Sequence, residues 1–363
     1  NYPPIHPWVR ARFSSRKNPF KASMRKKVDQ CWCGNTNLLD YSPAYWHCQD
    51  CSTLVLKEWP FDDPTKVDDS GELYSKDYYL KHLPESFGYP SIYTRVRVDL
   101  TDRVPYWLRT LLKYQLPPAS ALELGSAHGG FIAFLRAAGF QATGLELSPW
   151  LIEFAQETFN IQTLQGPLES QTISQGSLDV IALMDVLEHL PDPVGTMRLA
   201  LQLLKPDGFI ILQTPRFDPQ KSYDEILKNN DPFQIQFKEL EHLHLFSTAS
   251  LETLFHRLDC PNVAFEPAIF SQYDMFAVIS RRPLRLIPTE ERVAALQASP
   301  SGRMILALLD LYDRAEDLQH HADARLKIVQ EQSAELEILR KAAQERLEVI
   351  QQLDAALKNK PES

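Results

Sequence analysis

The most constraining stretch of this 363-residue chain is short. Ala121-Leu-Glu-Leu124 is an apolar run that stops at Gly125-Ser126-Ala127-His128-Gly129-Gly130. Phe131-Ile-Ala-Phe-Leu-Arg-Ala-Ala138 then repeats apolar residues at helical spacing until Gly139. A strand, a glycine-rich turn and a helix in that order form the first unit of a nucleotide-binding α/β sheet. Gln141-Ala-Thr-Gly-Leu-Glu146 predicts a second strand tipped by an acid. A carboxylate about twenty residues past such a loop suits two hydrogen bonds to ribose hydroxyls. A lone glycine loop also serves simple turns; loop, second strand and acid together point to a nucleotide-like ligand.

Upstream, Cys31-x-Cys33-Gly34 is followed by Cys48-x-x-Cys51. Two close cysteine pairs separated by a loop are how a ribbon presents four thiolates to one tetrahedral zinc ion. The first pair is C-x-C in place of the usual C-x-x-C, and His47 stands beside Cys48 as an alternative ligand. The other readings are two disulfides or reduced structural thiols. With all four ligands from protein, such a zinc holds a fold together and leaves no open position for catalysis. Cys260 stands alone and reads as a buried apolar residue.

The loop reads E-x-G-x-A-x-G, and here the chain resembles the class I S-adenosylmethionine-dependent methyltransferases. Further segments agree in order and spacing. Gly166-Pro167-Leu168-Glu169 follows a third strand, and Ser177 to Met184 is a fourth, leading into Asp185-Val-Leu-Glu-His-Leu-Pro-Asp-Pro193. Leu203-Leu-Lys-Pro-Asp-Gly208 precedes a fifth strand, Glu241-His-Leu-His-Leu-Phe-Ser247 precedes a late helix, and Met275 to Ile279 is an antiparallel last strand. The resemblance runs from about Cys31 to Arg281. It is nearest to methyltransferases with an N-terminal zinc element, among them sugar C-methyltransferases and enzymes of bacterial glycan or natural-product assembly. Leu73-Tyr-Ser-Lys-Asp-Tyr-Tyr79 resembles a stretch those enzymes carry between zinc element and core.

The resemblance implies an α/β fold: a seven-stranded Rossmann-like methyltransferase sheet with an N-terminal zinc ribbon and a C-terminal coiled-coil helix. It implies S-adenosyl-L-methionine held by Glu123, Gly125, Ser126, Ala127, Glu146, Leu147, Leu168, Met184 and Asp185, with structural zinc on Cys31, Cys33, Cys48 and Cys51. Glu123 would orient the methionine amino group and Glu146 the ribose. Ala127 stands where the family has glycine, and Pro167 where it has an aspartate that reads adenine, so adenine must be recognised by other groups.

Methyl transfer from a sulfonium needs an aligned acceptor and, for a hydroxyl or carbon acid, a base. His189 follows the fourth strand on the ligand side of a parallel sheet, and imidazole is tuned for proton transfer near neutral pH. Glu241 and His242 match the segment in which related sugar C-methyltransferases place their active-site Glu and His. The expected catalytic residues are therefore His189, His242 and Glu241. Each has a structural alternative, as a cap, brace or hydrogen bonder. Asp185-x-x-Glu188-His189 also resembles a metal-binding E-x-x-E-H motif of some quinone O-methyltransferases. The acceptor is expected to be a sugar, nucleotide-sugar or glycan-linked molecule. The alternatives are a small aromatic or polyketide-like metabolite, and a scaffold without turnover. The long segment from Phe217 to Lys238 is expected to cover the acceptor pocket.

Beyond Arg281-Arg282-Pro283 the chain is rich in Ala, Leu, Glu, Gln and Arg. From Leu311 to Leu357 an alternating four-then-three spacing picks out fourteen positions, eleven of them apolar, with no Gly or Pro between. That is a coiled-coil seam, about 70 Å long at 1.5 Å per residue, and it implies self-association or docking on a partner helix. Arg325, Gln332 and Arg346 interrupt it. The expected division is a basic arm over 1–29, the zinc element over 30–60 and a helical lead-in over 61–118. The methyltransferase core follows over 119–282, then a linker over 283–310 and the coiled coil over 311–358.

Composition narrows the partners. Net charge is −9, which disfavours a general nucleic-acid binder even though residues 1–28 hold eight Lys or Arg and no acid. No run of about 18 apolar residues occurs, so no membrane span is expected. Asn1–Trp8 has no apolar signal core, and a cytoplasmic location is expected.

Overall fold

The computed structural model describes residues 26–59 and 74–358, so most of the basic arm lies outside the described residues. The chain enters through β1 (Lys26–Lys27), which pairs antiparallel with β5 (Glu58–Trp59). Between them β2 (Leu38–Asp40), β3 (Tyr45–Cys48) and β4 (Leu54–Leu56) form an antiparallel meander. These strands are two to four residues long, too short to bury a core of their own.

Three short helices follow, α1 (Leu83–Phe87), α2 (Ile92–Val98) and α3 (Arg103–Leu111). In α3 the buried Val104, Leu108 and Leu111 recur at i, i+4 and i+7, one helix face. The main sheet then opens with β6 (Ser120–Leu124), α4 (Gly130–Ala138), β7 (Gln141–Glu146), α5 (Pro149–Phe159) and β8 (Thr163–Gln165). It continues with β9 (Leu178–Met184), α6 (Pro193–Leu203), β10 (Leu204–Pro215) and α7 (Tyr223–Lys228). The remaining elements are β11 (His244–Leu245), α8 (Thr248–His256), β12 (Asn262–Glu266), β13 (Asp274–Ser280), α9 (Thr289–Gln297) and α10 (Pro300–Lys358).

The seven strands lie in the order β8-β7-β6-β9-β10-β13-β12. Strands β6 to β10 are parallel, and β13 runs antiparallel to both β10 and β12. This is the Rossmann-like methyltransferase sheet with its antiparallel strand. Helices cover both faces, so the central strands read as continuous apolar runs: Ile181, Leu183, Ile210 and Leu212 are all fully buried. The fifth strand starts earlier than the sequence predicts. The Lys205-Pro206-Asp207-Gly208 turn is an irregularity inside β10, where the register with β9 shifts between Leu204 and Phe209.

Helix starts follow from capping. Ser148 Oγ accepts from Leu151 N ahead of α5, and an Asp192 carboxylate oxygen accepts from Gly195 N ahead of α6. Strand β11 does not join the main sheet. It pairs with β4, making a four-stranded sheet β11-β4-β3-β2 from the cysteine segment and the Glu241–Ser247 segment. The segment 217–238, expected over the acceptor pocket, packs instead against this small sheet. Phe217, Ile226 and Phe233 share an apolar cluster with Tyr45, Leu54, Leu56, Leu243 and Leu245.

The body up to Leu309 and the chain from Asp310 onward are separate units. The second consists of the continuing helix α10, with Leu318, Leu336 and Ile350 exposed by 55–69%. No described helix is long and apolar enough to cross a membrane.

Candidate active site

Strands β6, β7 and β9 end at the rim of a cavity of about 740 Å³, on the side of the sheet where open α/β folds bind ligands. All nine residues expected to hold the cofactor line it: Glu123, Gly125, Ser126, Ala127, Glu146, Leu147, Leu168, Met184 and Asp185.

The loop geometry explains its residue types. Gly125 has φ +69°, and a Cβ there would sit 2.6 Å from Val186 Cγ2, so only glycine lets the chain turn under that side chain. Ala127 also takes a positive φ of 45°, the strained choice at a position where the related enzymes use glycine. The strain is offset by the Glu146 carboxylate, which accepts from Ala127 N at 2.9 Å, Leu147 N at 2.9 Å and Ser148 N at 3.0 Å. Burial raises the Glu146 carboxyl above its ordinary value, and those three backbone donors offset only part of that rise.

Two buried polar atoms of the loop side lack partners. Glu123 is 4% exposed, and its Oε2 makes no hydrogen bond; the Ser126 hydroxyl is equally unpartnered. Burial, then the nearby Glu146, raises the Glu123 carboxyl well above the usual range. A buried acid with a spare oxygen beside a ligand cavity wants a cation or a donor. The ammonium of S-adenosylmethionine is such a group, so this donor set fits the cofactor.

A charged cluster that the sequence did not announce also lines the cavity. Arg95, Asp99 and Arg103 recur at i, i+4 and i+8 and all line the cavity, as does His128. Asp99 Oδ2 lies 3.0 Å from His128 Nε2, 3.5 Å from Arg95 and has Arg103 at 3.7 Å from its other oxygen. Burial raises this acid, but the His128 hydrogen bond and the two arginines overcome it and hold the carboxyl at about 2. Arg103 also reaches Asp185 at 3.7 Å. The spacing was legible in the sequence; that the three residues face the glycine loop was not.

The predicted catalytic residues sit together. His189 lines the cavity. Its Nδ1 lies 2.7 Å from the Glu241 carbonyl, and a carbonyl only accepts, so Nδ1 carries the proton and Nε2 is the basic nitrogen. His242 is held the same way, Nδ1 to the Gln236 carbonyl at 2.9 Å, with its ring 4.9 Å from that of His189. His242 and Glu241 are not on the cavity wall; His242 stands behind His189, and Glu241 Oε1 is buried without a hydrogen-bond partner. Burial lowers both imidazoles, His242 well below the usual value with help from Lys238 and His189. Glu188 is buried, accepts from Thr214 Oγ1 at 2.8 Å, and is pushed up to about 8 by burial and by Asp185.

One nitrogen of each histidine and one Glu188 oxygen lie within 4.8 Å of one another, close enough to share a cation. Asp185 stands outside this group, bonded to Gln213 and ion-paired to Arg103, so the three residues that come together are Glu188, His189 and His242, not the Asp185, Glu188 and His189 of the motif that the sequence resembles.

The four cysteines converge. Their sulfurs lie within 4.8 Å of one another, Cys31 to Cys51 at 3.6 Å and Cys33 to Cys48 at 3.5 Å. None is disulfide-bonded. A tetrahedral zinc with bonds of 2.3 Å needs sulfurs about 3.8 Å apart, so the set fits that ion. His47 stands outside it, its Nδ1 near Gln49. Tyr45 Oη donates to the His242 carbonyl at 3.0 Å, and Leu56 N donates to the Leu243 carbonyl at 2.9 Å, so the cysteine segment and the histidine segment are physically joined.

Residues 97–264 match a family model described as a methyltransferase domain. A ubiquinone biosynthesis O-methyltransferase of Xanthomonas campestris is 32% identical over 108 residues, 27% of this chain and 44% of that protein. One from Albidiferax ferrireducens is 31% identical over 106 residues, 27% and 42% of the two chains. The chain therefore spans less than half the length of these curated relatives. A solved S-adenosylmethionine-dependent methyltransferase from Aquifex aeolicus is 13% identical, with TM-score 0.38, covering 51% of this chain and 91% of that one. Residues 97–264 of this chain are thus similar to a methyltransferase domain, and they carry most of the seven-stranded sheet described above.

Proposed function

We propose that the protein transfers a methyl group from S-adenosylmethionine to a hydroxyl or acidic C–H of a small-molecule acceptor, with a sugar, nucleotide-sugar or glycan-linked molecule as the first class. The observation that carries the reading is that one cavity is lined both by Glu123, with a spare buried oxygen, and by His189, whose Nε2 is left free of the proton on Nδ1. The bound cofactor supplies an electrophilic methyl group. Glu123 orients its ammonium, Glu146 its ribose, and Arg95 or Arg103 its carboxylate. His189 Nε2 takes the acceptor proton, and the Glu241 carbonyl on Nδ1 keeps the ring in the tautomer that can do so. His242 and Glu241 support that ring from behind. The cysteines would hold one structural zinc.

A second reading, O-methylation of a small aromatic hydroxyl, is favoured by two observations: the similarity to ubiquinone biosynthesis O-methyltransferases and the Glu188, His189 and His242 cluster. A divalent cation on those three residues would lower the acidity barrier of an acceptor oxygen. The test is one panel. Methyl-labelled S-adenosylmethionine is supplied with nucleotide sugars, glycans and phenols, with and without chelator. Label on a sugar supports the first reading, label on a phenol the second. Tight cofactor binding with no transfer to any acceptor identifies a scaffold without turnover.

A further inference from the structure

From Asp310 to Lys358 the described chain is one continuing helix, in a unit separate from the body. Its seam residues Leu318, Val329, Leu339 and Ile350 are 55–69% exposed, a long apolar stripe that water does not tolerate on a lone helix. Two charges break the stripe, Arg325 and Arg346, both exposed.

We propose that this helix pairs with the same helix of a second copy of the chain, antiparallel, about a two-fold axis level with Ala334. The arginines decide the direction. In a parallel, in-register pair each seam residue faces its own copy, so Arg325 meets Arg325 and Arg346 meets Arg346, two layers of like charge in the core. A staggered parallel pair relieves that but is not closed by symmetry and leaves helix ends unmatched. In an antiparallel pair, residues equidistant from the axis face each other. Centred on Ala334, Leu318 then meets Ile350 and Val329 meets Leu339. Arg325 meets Ala343, and Arg346 meets Ala322. Every arginine faces an alanine. Its stem can lie over the small side chain while the guanidinium reaches water at the helix flank. Sliding the pair by one heptad puts Arg325 against Leu336 or Ile350, where no such room exists. The placement of alanines and arginines thus fixes both direction and register.

The test uses the full chain with Gln351→Cys carrying a nitroxide; Gln351 is exposed on the helix. Seventeen residues separate it from Ala334. At 1.5 Å per residue on each side, the two labels of an antiparallel pair lie about 50 Å apart. Parallel helices 8–10 Å apart bring them within about 25 Å. The labelled wild type, whose five native cysteines are unpaired, serves as the blank. Light scattering supplies the mass per particle. A distance near 50 Å with twice the chain mass of 41.6 kDa is expected. A distance under 25 Å, a single-chain mass or any larger assembly overturns the proposal.

Discussion

Tyr45 and His242 stand 197 positions apart in the chain, yet the tyrosine hydroxyl donates to the histidine carbonyl at 3.0 Å, with both side chains buried. The cysteine segment therefore does more than hold itself together. Through Tyr45 and the β4–β11 pairing it holds the backbone that carries His242 and His244. Tyr45→Phe leaves a buried carbonyl unpaired and should cost about 1–3 kcal/mol of stability. It should slow methyl transfer while leaving cofactor affinity within about twofold, because the cofactor loop lies on other elements. Denaturant unfolding and a calorimetric titration with S-adenosylmethionine check the two halves.

One zinc per chain is expected by elemental analysis. Cys48→Ser should lose it and destabilise the four-stranded sheet, because the metal's binding energy is folding energy. Cofactor affinity should survive and transfer should not. A variant that binds no zinc yet transfers at full rate would separate the metal from the site.

Cofactor affinity should rise with pH. Burial and the nearby Glu146 raise the Glu123 carboxyl, and an ammonium ligand favours its ionised form, so binding releases a proton at pH below that raised pKa. Titrations in buffers of different ionisation enthalpy measure that release, and in Glu123→Gln it should vanish.

Ala127→Gly should stabilise the folded chain by up to about 1 kcal/mol, since the left-handed backbone at φ 45° costs alanine roughly that much more than glycine, less the added freedom of the unfolded chain. Thermal melts read the difference, and a lower melting temperature would show that the Glu146 bond already absorbs the strain.

Much of this was legible in the sequence because it is local. The glycine loop, the acid of Glu146 and the four cysteines each announce themselves within a few residues, and the nine cofactor-side residues all fall on one cavity. What was not legible is long-range. Nothing near His244 says that its strand leaves the main sheet to extend the cysteine meander, since a two-residue strand has no period to read. The same holds for Arg95, Asp99 and Arg103, whose four-residue spacing says nothing of the cavity they line once the chain breaks between α2 and α3. The segment 217–238 misled for the opposite reason: length suggested a lid, whereas Phe217, Ile226 and Phe233 supply core to the small sheet.

The central claim is that His189 is the base of a methyltransferase site. Its Nε2 acts only when unprotonated, and burial lowers its pKa, so the rate should rise with pH through a value below 6.5 and then level off. The most direct measurement is the pH profile of label transfer from S-adenosylmethionine, wild type against His189→Gln, with cofactor affinity followed in parallel. The variant should transfer about 10²–10⁴-fold more slowly at unchanged cofactor affinity, with the pH step gone. A variant that keeps both the rate and the step would contradict the claim.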